Sequence, residues 1–145
     1  WAGLTVADAR RGLDGAAGML ARETIDSQVY WLPSSAPRLP DNAPRVQLLP
    51  SFDEYLVGYK DRRAVLDPEH SQRVIPGSNG MFLPALVIDG RVAGTWKRIA
   101  AKGRVRVAVT SFAPLHEAAM RGFEEAASRY GAYLGLPVEA VVLDS

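Results

Sequence analysis

Asp89-Gly90 is the feature that most constrains this chain. It is a strong two-residue hairpin signal, because both central positions of the favoured turn need positive φ. Residues 83–88 and 91–98 on either side read as strands, and Arg91 to Arg106 carries the pattern into a third. A meander of this kind predicts a small antiparallel β-barrel or curled sheet. From Pro114 the apolar period changes. Leu115, Ala119, Gly122, Phe123, Ala126, Tyr130 and Leu134 make one stripe at helical spacing. A helix over 114–134 follows, stopped by Gly135 and Pro137, with a last strand at 138–143 placed to close the sheet.

Upstream the signals are shorter. Thr5 is an N-cap, and Asp8 sits three residues on, at the positive end of a helix over 5–13. Residues 19–25 and 28–32 read as two strands around Asp26-Ser27. Four prolines fall between residues 33 and 44, marking a linker. Residues 46–49 form a short strand and 52–59 a helical turn. Asp67 caps a short helix with Pro68 at its first position. The fold class expected is α+β, with three parts: residues 1–33, a Pro-rich linker at 34–44, and a barrel-like domain at 45–145.

The charge is unevenly spread. Arg91, Lys97, Arg98, Lys102, Arg104 and Arg106 lie within sixteen residues that hold no acid, while the whole chain is only +1. Strict alternation puts Val92 and Trp96 on one face of the first strand, with Arg91, Thr95 and Lys97 on the other. Val105, Val107 and Val109 then oppose Arg104 and Arg106. A ribbon with one apolar and one cationic face can lie along phosphates, each contact releasing counterions. The same residues would also serve as a solvated face whose edge lysines block aggregation. Arg10 and Arg11 on the first helix have the same two readings, groove contact or ordinary solvation.

A second polar cluster spans residues 53–73. Asp53, Asp61, Asp67 and His70 are of the types used for acid–base work or hard-metal binding. Each also has a bracing role open to it: Asp67 as a cap, Asp61, Arg62 and Arg63 as an ion network, and Asp53 paired to Arg62 or to backbone N–H groups. Asp53, Tyr55, Arg62 and His70 are the residues of this cluster that would line a pocket. His116 is expected on the solvated side of the long helix. Trp31, Tyr55, Tyr59 and Trp96 can stack on bases or fill a core. The 145 residues include no cysteine, which excludes disulfides and thiolate metal sites and fits a cytoplasmic protein. No apolar run approaches the roughly 20 residues a membrane span needs. No P-loop, G-x-S-x-G, H-E-x-x-H or dinucleotide fingerprint is present, and no cofactor or metal is expected.

Several segments together resemble the winged-helix DNA-binding-domain family, which includes the AlkZ/YcaQ-type DNA glycosylases. WAGLTVADARRGL looks like that family's last recognition helix and MLARETIDSQVYWLP like its wing. VQLLPSFDEYLVGYKDR, LDPEH, LPALVIDGRVAGTWKR and FAPL look like its C-terminal barrel segment. The resemblance implies a partial winged helix, Thr5, Arg10 and Arg11 as DNA contacts beside the six basic hairpin residues, and duplex DNA as partner. It also implies upstream winged-helix modules of the same protein, whose docking surface would favour a homodimer where it is left open. In enzymes of this family a Gln-x-Gln or Gln-x-Asp motif supports water attack at the glycosidic bond. Gln28, Gln47 and Gln72 are instead followed, two residues on, by Tyr30, Leu49 and Val74. The expectation is therefore a DNA-binding portion of a winged-helix protein. Its alternatives are the scaffold of a glycosylase with catalytic groups upstream, or a structural or small-ligand module.

Overall fold

The computed structural model describes residues 3–25, 27–35, 45–78 and 80–143. The chain divides into two compact units, Trp1–Ala43 and Pro44–Ser145.

In the first unit, helix α1 (Val6–Gly15) begins as its sequence dictates. The Thr5 hydroxyl accepts the Asp8 N–H at 3.1 Å and donates to the Asp8 carboxylate at 2.6 Å. That hydroxyl, and then the Arg11 guanidinium, hold the Asp8 carboxyl below its usual range. The helix runs through Gly12 to Gly15, two residues past the expected end. Strands β1 (Leu20–Ile25) and β2 (Gln28–Pro33) pair antiparallel from Leu20↔Pro33 to Ile25↔Gln28. Of the expected turn pair, Ser27 takes φ +66°, and Asp26 lies outside the described residues, as does most of the expected linker. One helix and one hairpin make too small a core to bury their own apolar faces. Accordingly α1 has no buried residue, and Val6, Met19, Ile25 and Trp31 are exposed.

The second unit is a five-stranded sheet in the order β3-β4-β5-β6-β7. Its strands are β3 (Val46–Leu49), β4 (Ala85–Ile88), β5 (Arg91–Ala101), β6 (Arg104–Ser111) and β7 (Val138–Leu143). The first four form an antiparallel meander, with the Asp89-Gly90 turn where the sequence puts it. Between β6 and β7 runs helix α4 (Glu117–Leu134). An 18-residue helix carries the chain back to the end it left, so β7 lies parallel to β6. It does not close the sheet. The expected barrel is corrected accordingly: β3 and β7 occupy opposite edges, and both faces of the sheet are covered by other means.

One face packs on α4, where Val46, Leu86, Val107 and Val109 meet Phe123, Ala126 and Ala127. The other carries a second core of Leu56, Leu66, Val74, Phe82, Ala85, Val87 and Val92. That layer is an irregular segment with two one-turn helices, α2 (Glu54–Val57) and α3 (Ser71–Val74), and a 3-10 turn at Pro68–His70. Helix α4 reaches both edges of the sheet because it has glycine at each crossing. A Cβ on Gly122 would stand 2.5 Å from a Val46 methyl of β3, and one on Gly131 would stand 2.9 Å from the Val138 Cβ of β7. The helix is shorter than 114–134: His116 caps it, its Nδ1 accepting the Ala119 N–H at 3.2 Å, and Gly135 ends it at φ +64°. His116 is therefore exposed, as expected, but as the cap of the helix rather than a residue within it.

Trp96 links the sheet to its edge. Its indole Nε1 donates to the Leu49 carbonyl at 2.7 Å, and its ring meets Tyr130 edge-on at 5.4 Å. Trp96→Phe keeps most of the packing and strands that carbonyl. The expected cost is about 1–2 kcal/mol, read from the denaturant midpoint.

Candidate nucleic-acid interface

The faces of the β5–β6 hairpin are set by one extra residue. Leu86 pairs with Gly94 and Val87 with Val92, so Ala93 is a bulge. Strict alternation fails there. Val92 enters the second core while Trp96, four residues on, packs against the α4 core. Beyond the bulge the register is regular: Trp96↔Val109, Lys97↔Ala108, Arg98↔Val107, Ile99↔Arg106 and Ala101↔Arg104. Val105, Val107 and Val109 are buried on the α4 side, as expected. Arg98 shares that side by its pairing with Val107. Lys97, Arg104 and Arg106 share the opposite side, and Lys102 sits in the turn with Gly103 at φ +70°. The cations therefore surround the hairpin tip rather than paving one face.

Two of the six are already engaged. Arg106 makes a two-pronged pair with Glu139 of β7, Nε and Nη2 each 3.1 Å from a carboxylate oxygen. Arg91 donates from Nη1 to the Ala64 carbonyl at 3.0 Å. Lys97, Arg98, Lys102 and Arg104 are exposed, with no carboxylate partner among the described residues. In the first unit Arg11 is bound to Asp8, while Arg10 is exposed and has no such partner among the described residues. Thr5 spends its hydroxyl on the cap.

The Asp53–Arg73 cluster is dispersed into bracing roles. Asp53 caps α2, accepting the Tyr55 N–H at 2.9 Å. The Tyr55 hydroxyl donates to the Gly90 carbonyl at 2.5 Å, and burial raises its pKa against the opposing charge of Arg91. Arg62 donates to the Leu56 carbonyl and lies 5.0 Å from the Phe82 ring centre. Arg63 grips Asp61 at 2.6 Å and holds its carboxyl at about 2. Asp67 accepts the Glu69 N–H at 3.1 Å. Among the described residues no three of these acids and histidines converge as metal ligands. Of Asp53, Tyr55, Arg62 and His70, it is His70 that lines a cleft. That cleft, of about 370 Å³, is lined by His70 with Asp67, Arg91 and His116 over an apolar wall. Arg91 and His116 join it from elements distant in sequence, and only the cap position of His116, just before Glu117, could have hinted at its placement.

Four exposed cations with no carboxylate partner among the described residues thus lie along the β5–β6 hairpin. The chain belongs to the DNA glycosylase AlkZ-like family, whose sequence profile matches residues 1–133. Among solved structures it is similar to the Streptomyces sahachiroi DNA glycosylase AlkZ, with a TM-score of 0.67 and 24% sequence identity over 95% of this chain. The match spans 38% of that protein's length. No curated protein matches the sequence. Among the described residues no helix is long and apolar enough to cross a membrane.

Proposed function

We propose that this chain is the DNA-holding scaffold of a DNA glycosylase, gripping duplex DNA through the tip of the β5–β6 hairpin. The observation that carries the reading is the set of cations there without carboxylate partners among the described residues, Lys97, Arg98, Lys102 and Arg104, in a chain of a glycosylase family. Phosphate contacts of this kind fix a protein on the duplex and carry no sequence information. Helix α1 and the β1–β2 hairpin act as the recognition helix and wing of a winged helix, with Arg10 as an exposed basic group. The chemistry, water attack at the glycosidic carbon of an alkylated or crosslinked base, falls to residues outside this chain. No glutamine here has the family's partner two residues on, and most of the matched glycosylase's length has no counterpart in these residues.

The test is a fluorescence-anisotropy titration against duplex DNA at several salt concentrations. Four phosphate contacts predict a log–log slope of about −3 to −4. A flat salt dependence, or no binding at low salt, would remove the hairpin from the DNA surface. The glycosylase part is checked separately, by base release from alkylated duplex by a protein that includes both this chain and the Gln-x-Gln region. Binding without release would leave DNA contact standing and end the enzyme reading.

A further inference from the structure

The cleft lined by His70, Arg91 and His116 lies apart from the hairpin tip and has no part in the reading above. Its polar groups are Asp67, His70, Arg91 and His116, and its wall includes Ile88, Phe112 and Leu115. We propose that it binds a phosphate group.

Each of these side chains is fixed in place. One N–H of Arg91 is held by the Ala64 carbonyl, which leaves the rest of its planar fork for another acceptor. The His70 ring rests against Phe112, centroids 4.2 Å apart, with its Nε2 3.3 Å from the exposed Glu69 carboxylate. The Nδ1 of His116 accepts from Ala119, so the proton of the neutral ring sits on Nε2 as a donor. Asp67, the one acid of the lining, has an oxygen engaged by the Glu69 N–H. The lining thus offers a guanidinium and two imidazoles to one small volume, and a guanidinium fork matches phosphate oxygens two at a time. A cleft of about 370 Å³ admits the phosphate together with the sugar that carries it. That phosphate is either free, on a mononucleotide, or part of a DNA strand, and the two sources share the same chemistry.

The histidine ring signals of the intact chain report the site by NMR. Inorganic phosphate, a deoxynucleoside monophosphate and a short duplex are titrated in turn. His70 and His116 should shift together and saturably. Arg91→Gln should weaken binding by roughly tenfold, as expected for loss of a charge-assisted pair. His116→Ser preserves the helix cap through its hydroxyl and should weaken binding several-fold. It therefore remains decisive if Arg91→Gln perturbs the fold. Saturation by phosphate or the mononucleotide assigns the cleft to a free ligand. Saturation of the histidine shifts by the duplex alone, weakened by His116→Ser, assigns it to a DNA phosphate. Absence of shifts with all three probes, or equal binding by His116→Ser and the parent, would overturn the proposal. Neither of those results touches the hairpin reading, which is tested at other residues.

Discussion

Replacing Phe123 with Ala should lower the unfolding free energy of the second unit by about 3–5 kcal/mol, the range for emptying a packed aromatic site. Phe123 is 1% exposed and is the largest of the fully buried side chains. It joins α4 to Val46, Leu86, Val107 and Val109, residues of three different strands. The cost depends on how far the surroundings can collapse into the space. Here they are held off, because α4 already touches Val46 at Gly122 and Val138 at Gly131 and cannot move closer to the sheet. The cavity should therefore persist. Urea unfolding followed by circular dichroism measures it, with an unchanged slope and a lower midpoint expected. A loss below about 1 kcal/mol would mean that the helix is only loosely seated.

Reversing two charges, Lys97→Glu with Arg104→Glu, should weaken duplex binding by roughly tenfold or more at low salt and reduce the log–log salt slope by about two. The two residues lie on one side of the hairpin, are exposed, and leave no carboxylate behind when changed. Arg106 supplies the contrast. It lies on the same side, but Glu139 already offsets its charge, so removing the neutral pair together, Arg106→Gln with Glu139→Gln, should change affinity only slightly. The pattern across these changes is more informative than any one of them. Equal losses at all positions would point to a diffuse field, and no loss at any would place DNA elsewhere.

Local signals in the sequence translated well into structure. The Asp89-Gly90 turn, the Thr5 and Asp67 caps and the α4 stripe each depend on residues within one or two turns of one another, and all four are present in the fold. What escaped was non-local or cumulative. The bulge at Ala93 adds a single residue, yet it transfers every later side chain of β5 to the other face. This is why Val92 and Trp96 part company. The parallel placement of β7 follows from what α4 packs on, which periodicity does not encode. The His70–Arg91–His116 cleft unites a 3-10 turn, the start of a strand and a helix cap. No spacing rule joins those three. The acids of residues 53–67 were legible as residue types but not in their roles, because a cap and a catalytic carboxylate look alike until their partners are placed.

The contact of α4 with both outer strands has a further consequence. A sheet with two open margins has two independent places to fray and two surfaces that can recruit a foreign strand. Here a single helix is the clasp for both, seated on Val46 at one margin and on Val138 at the other. Neither margin can loosen far while the clasp holds, and when it lifts both are released in the same event. The sheet is thus guarded as a whole, at one fastening.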